Sequence, residues 1–148
     1  MNKFFSRSVL PLAVAGALAL AGCAARSAIS AEDFQKQAKS AGYTVSSQAA
    51  GSTGATKCLS ATKGGSDLQI TFYAFGTAAD AQSWYSSQKS GISGSGKTVV
   101  DTDTYNKYTV TVGDISFLLV RMDNTAVLCK TSTAKSGEAE RFVSSIKY

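Results

Sequence analysis

From Tyr105 onward, apolar and polar residues alternate with the period of two that a β-strand needs when its two faces differ. Tyr105 to Val112, Ile115 to Met122 and Thr125 to Thr131 read as three strands. They are joined by the two-residue turns Gly113-Asp114 and Asp123-Asn124. These turns fix a register in which Val110 faces Phe117, Val112 faces Ile115, Leu119 faces Leu128 and Leu118 faces Cys129. Tyr108, Val110, Val112, Ile115, Phe117, Leu119, Ala126 and Leu128 then share one apolar face. Thr109, Thr111, Leu118, Val120, Val127 and Cys129 share a mixed face, expected to be covered in part by the segment around Cys58. Further back, Asp67 to Phe75 is a strong strand, with Leu68, Ile70 and Phe72 opposite Gln69, Thr71, Tyr73 and Phe75. Tyr43 to Gln48 and Lys57 to Lys63 read as strands around a small-residue loop, Ala49 to Ala55. Gly64-Gly65 makes a hairpin turn. Ser90 to Lys97 reads as a flexible loop before a short strand, Thr98 to Asp101.

Three helical segments interleave with these strands. Ser30 caps the first, with Asp33 three residues on and Ile29 and Phe34 placed for a hydrophobic staple. Gly42 stops it. Thr77 and Asp80 repeat the capping spacing ahead of Ala81, Trp84, Tyr85 and Gln88, and Gly91 ends that helix. The third takes Ser136 as its cap and Ala139, Phe142, Val143 and Ile146 as its apolar stripe. The expected fold class is α+β: a twisted antiparallel sheet of about six to seven strands with three helices, in the order α-β-β-β-α-β-β-β-β-α.

The N-terminus has a different pattern. Lys3 and Arg7 precede a charge-free, largely apolar run from Val9 to Ala21, shorter than the roughly 20 residues a membrane-spanning helix needs. A positive start, a short apolar run and small residues at its end describe an export signal. Leu20-Ala21-Gly22-Cys23 resembles the lipobox of bacterial lipoproteins: an apolar residue, two small residues, then cysteine. That resemblance implies that Cys23 receives a diacylglyceryl group on sulfur, that cleavage falls before it, and that the lipid anchors the chain outside the cytoplasm. The expected organisation is residues 1–22 as a cleaved signal, 23–29 as a lipidated cysteine and short tether, and 30–148 as one domain. Ala24 after the cysteine implies the outer membrane in a double-membrane cell, and the cell membrane in a single-membrane one.

Export changes the reading of the remaining cysteines. Outside the cytoplasm an even pair usually forms a disulfide, so Cys58 and Cys129 are expected to be bonded. The formal charge is +5, two units of which leave with Lys3 and Arg7. The remaining bases are scattered, so no nucleic-acid partner is expected. The expected partners are the membrane, through Cys23, and an envelope protein or wall polymer.

The candidate chemistry is sparse. The chain has no histidine, which excludes serine–histidine and cysteine–histidine catalysis and histidine-held zinc. Gly91-Ile92-Ser93-Gly94-Ser95-Gly96-Lys97-Thr98 fits the phosphate-loop pattern, yet a helix precedes it and a strand follows, the reverse of the working order. No nucleotide or other cofactor is expected. Asp101 and Asp103 lack the further oxygens of a calcium loop and read as a polar turn; no metal is expected. Tyr73 and Phe75, extended by Trp84 and Tyr85, are the candidates for an exposed binding surface. The function expected on these grounds is a non-enzymatic, membrane-anchored binding or structural module. Two alternatives are a lipid-anchored inhibitor of a wall-degrading enzyme such as lysozyme and a carboxylate-based envelope hydrolase.

Overall fold

The computed structural model describes residues 26–148. The segment expected to be an export signal, and Cys23, lie outside them. The expected order of elements is observed. Helix α1 spans Ala31–Ser40, strands β1 Thr44–Ser47, β2 Lys57–Thr62 and β3 Gln69–Ala74, and helix α2 Ala78–Gly91. Strands β4 Ser95–Asp101, β5 Tyr105–Val112, β6 Ile115–Met122 and β7 Thr125–Ser132 follow, then helix α3 Ser136–Ser145. The seven strands form one antiparallel sheet in the order β1-β2-β3-β7-β6-β5-β4. Two meanders therefore meet where β7 pairs with β3, and α2 carries the chain from the centre of the sheet to its far edge.

The local chemistry of each element explains its limits. Ser30 Oγ accepts from the Asp33 N–H and Thr77 Oγ1 from the Asp80 N–H. These bonds satisfy donors that the first turns of α1 and α2 leave open. The third helix departs from expectation. Ser136 is its first helical residue rather than its cap, because a 3-10 turn over Thr133–Lys135 leads into it. The turn register is as the sequence predicts, with Val110 opposite Phe117, Val112 opposite Ile115, Leu119 opposite Leu128 and Leu118 opposite Cys129. Gly113 and Asp123 supply the positive φ angles, +57° and +47°. Asp is among the few non-glycine residues that accept this conformation.

Both faces of the sheet are covered. On one, Phe34 of α1 stacks on Phe72 at 4.7 Å, and Phe142 of α3 meets Phe34 and Tyr43 edge-on at 6.0 and 5.2 Å. Leu59, Ala61, Ile70, Leu118, Val120, Val127 and Cys129 complete this core. The face that reads as mixed in sequence thus carries the larger core, and two helices cover it rather than the Cys58 segment. Lys107, on the same face, pairs with Glu140 of α3. On the other face α2 lays Ala81, Trp84 and Tyr85 over Leu119 and Ala126.

The expected Cys58–Cys129 disulfide is overturned. Both cysteines are buried free thiols. Cys58 is opposite Tyr73 in β3, whereas Cys129 is opposite Ile70, three residues away along the same strand. With adjacent strands about 4.8 Å apart, β3 alone separates them by about 10 Å, beyond the roughly 7 Å that a disulfide spans. The odd stagger also sends the two side chains to opposite faces.

One exposed carboxylate fastens the far end of this sheet. Asp67 accepts from Thr131 Oγ1 at 2.7 Å and from the Ser132 N–H at 3.2 Å, with Lys135 Nζ at 3.9 Å. Hydrogen bonding from Ser132, then from Thr131, draws its pKa down from 3.8 to about 2. A depressed carboxylate contributes stability above its unfolded pKa and loses it as pH falls through the folded one. Asp67→Asn should therefore lower Tm at pH 7, and the gap from the parent should close between about pH 4 and pH 2. A gap independent of pH would show that the Asp67 charge plays no such part.

Candidate functional site

The end of the sheet opposite Asp67 gathers the chain's polar chemistry. Here β4 turns into β5 through 102–104 and β6 into β7 through Asp123 and Asn124. Arg121 lies between these turns on the α2 face and is 1% exposed. Its Nε donates to Asn106 Oδ1 at 2.6 Å, its Nη1 to the Asp123 carbonyl at 3.0 Å, and its Nη2 to the Asp103 carbonyl at 2.7 Å and the Thr102 carbonyl at 3.4 Å. No described carboxylate lies within 4.0 Å of the guanidinium. The buried charge is held by neutral oxygens, while Asp123, Asp101 and Asp103 offset its desolvation from further away. The rigid, five-donor fork of arginine suits such a multi-carbonyl grip.

The neighbouring groups extend this network. Asn106, also buried, donates to Asp101 Oδ1 at 2.7 Å and to the Thr102 carbonyl at 2.9 Å. The Asp123 N–H donates to the Thr104 carbonyl at 2.8 Å, stitching the two turns together. Asn124 exchanges two hydrogen bonds with Phe75, one from its side chain at 3.1 Å and one through its carbonyl at 2.8 Å. A cleft of about 450 Å³ opens beside the network, lined by Gln82, Asp101, Thr102, Asp103 and Asn106. It presents carboxylate and amide oxygens and is shallow. Under α2, the Tyr85 hydroxyl and Trp84 Nε1 are buried without a hydrogen-bond partner. Burial, and next the Asp101 charge, push the Tyr85 hydroxyl up to about 12.

Both ends of the described chain arrive at the same rim. Tyr148 Oη shares a hydrogen bond with Thr125 Oγ1 and accepts from the Ile29 N–H at 3.3 Å. The Arg26 guanidinium stacks over the Tyr105 ring at 4.6 Å, and Ala28 and Ile29 pack on the larger core. The segment expected to be a tether is thus part of the domain from Arg26 onward.

The residues expected to form a binding surface are brought together but lie inside. Tyr73 and Trp84 are 4.4 Å apart between ring centroids, and Phe75 and Trp84 5.7 Å. Phe75, Trp84 and Tyr85 are buried and Tyr73 half-buried. This corrects the open-patch reading, because α2 turns its own aromatic stripe onto that face of β3. The phosphate-loop pattern divides between the end of α2 and strand β4, which starts at Ser95, earlier than expected. Two of its three glycines serve packing: a Cβ on Gly96 would overlap the Tyr108 hydroxyl, and one on Gly94 the Thr111 carbonyl.

No family model matches the chain, and no curated protein does. Among solved structures, the crystal structure of a GTP binding regulator from Thermotoga maritima superposes with a TM-score of 0.58 at 10% identity. That match covers 80% of this chain and 85% of that one. The extracellular domain of PknH from Mycobacterium tuberculosis is matched over 80% of this chain and 91% of that one, at 12% identity and a TM-score of 0.35. The first likeness concerns the fold alone.

Arg121 and Asn106 were not among the sequence candidates. Their signal was present, since Arg121 falls two residues after Leu119 on a strand face that alternation assigns to the interior. Replacing Arg121 with Met should cost about 3 kcal/mol in urea unfolding, because three carbonyls and Asn106 lose their donor. A loss below about 1 kcal/mol would mean that water satisfies them instead.

Proposed function

We propose that this chain is the precursor of a lipid-anchored extracytoplasmic protein, whose domain is a non-enzymatic binding or structural module. The observation that carries the reading is Leu20-Ala21-Gly22-Cys23 behind the Lys3, Arg7 and Val9 to Ala21 signal pattern. Cleavage before Cys23 leaves a new N-terminus three residues ahead of Arg26, where the folded domain begins to hold the chain. A diacylglyceryl group supplies two acyl chains, enough for stable anchoring where one is marginal. No helix among the described residues is long and apolar enough to cross a membrane. The destination is the outer membrane of a double-membrane bacterium or the cell membrane of a single-membrane one.

The non-enzymatic reading is supported by the occupation of six of the ten carboxylates. The Asp33 and Asp80 carboxylates accept from the capping hydroxyls of Ser30 and Thr77, Asp67 fastens β7, and Glu140 pairs with Lys107. Glu138 Oε1 accepts from Tyr43 at 3.2 Å and from Ser66 at 3.0 Å, and Asp101 holds Asn106. The domain binds no nucleotide through Gly91 to Thr98, where Gly94 and Gly96 let the chain lie close to β5. Its partners beyond the bilayer are an envelope protein or wall polymer.

In cells, Cys23→Ser should leave the precursor uncut or release it from the membrane fraction. Immunoblotting of fractionated envelopes against the parent reads this directly. A variant that matured and stayed with the membrane would remove the basis of the proposal.

A further inference from the structure

We infer that the Arg121 rim is the face the domain turns toward the bilayer, so that its partner surface there is the lipid headgroup layer. The inference rests on lipidation at Cys23 and adds the orientation. It follows from where the N-terminal segment leaves the fold. Ile29 is bonded to Tyr148, and Ala28 and Ile29 pack on the core. Arg26 lies on Tyr105, the first residue of β5, immediately after the 102–104 turn. Tyr148 is in turn bonded to Thr125, immediately after the Asp123-Asn124 turn. The exit point is therefore fixed at one end of the sheet, by Arg26 on the first residue of β5 and by Ile29 through Tyr148 to the first residue of β7.

Covalent reach does the rest. Cys23 precedes Arg26 by three residues, and three extended residues span at most about 11 Å. A lipid-bearing sulfur sits at the membrane interface, so the Arg26 backbone lies within roughly that distance of it, and Tyr105 with the neighbouring turns lies one arginine side chain beyond. The eight residues of β5 rise about 26 Å at about 3.3 Å each, placing the Gly113-Asp114 turn that much farther away. Charge does not produce this orientation. The rim exposes Asp101 and Asp103, with Asp123 half-exposed, and would be repelled by anionic lipid within about one Debye length. The cleft lined by Gln82, Asp101 and Asp103 then opens close to the bilayer, and the Asp67, Asp114 and Lys135 end is the one presented to other envelope components.

The test uses lipidated mature protein in phosphatidylcholine vesicles that carry an energy-transfer acceptor at the headgroup. A donor dye is attached through Asp103→Cys or, separately, through Asp114→Cys; both positions are exposed, whereas Cys58 and Cys129 are buried. Transfer from position 103 should exceed that from position 114 by about twofold or more, given the roughly 26 Å between them. A flexible insert of about 12 Gly and Ser residues between Ala25 and Arg26 should reduce the difference. Protein that floats with the vesicles and shows equal or reversed transfer overturns the orientation and leaves the anchor standing. Protein whose intact mass lacks the lipid and that does not float overturns the anchor and the orientation together.

Discussion

Pairing of β3 with β7 is the constraint on which the rest of this molecule depends. It joins a three-stranded and a four-stranded meander into one sheet, and it does so in a register that leaves each strand with two different faces. Ile70 and Cys129 are thereby turned toward α1 and α3, and Tyr73 and Ala126 toward α2. A shift of one residue would exchange these sets and strand each core's side chains under the wrong helix. The helices follow from the faces: two narrow apolar stripes fill the broader side, and one aromatic-rich stripe fills the other.

The same pairing brings two turns and both ends of the described chain to a single rim. Such a convergence leaves many backbone carbonyls near one another with no sheet partner. A buried arginine answers that surplus. Its donors bind three carbonyls and Asn106, and the acids around it are far enough away to remain in water. Tyr148 and Arg26 close the rim from the larger-core side. If the chain is anchored at Cys23 as proposed, this well-tied end is mechanically the right one to face the membrane, since any load from the lipid enters the fold there.

Much of the fold was legible because its signals are local. Two-residue turns set the register of β5, β6 and β7, and Ser30 and Thr77 announced their helices by the spacing of their caps. What escaped depended on which distant strands pair. Nothing near Cys58 or Cys129 says that β3 comes between them, and so the parity that sends their side chains apart was invisible. The aromatic group of Tyr73, Phe75, Trp84 and Tyr85 was correctly gathered, but whether it faced water or α2 depended on which side of the sheet the crossover took. Gly94 and Gly96 read as loop because glycine usually marks one; here they lie in or beside an edge strand that must pass under Tyr108. Arg121 was hidden by its own polarity, since a charge on an interior face is expected only when a network exists to receive it.

The separation of Cys58 from Cys129 by β3 tests this arrangement most directly, because chemistry can read it without a structure. Alkylation of the unreduced mature protein after unfolding, followed by peptide mapping, should find both cysteines as free thiols. Recovery of a peptide linking Cys58 to Cys129 would contradict the account, since that bond requires β2 and β7 to meet where β3 now lies.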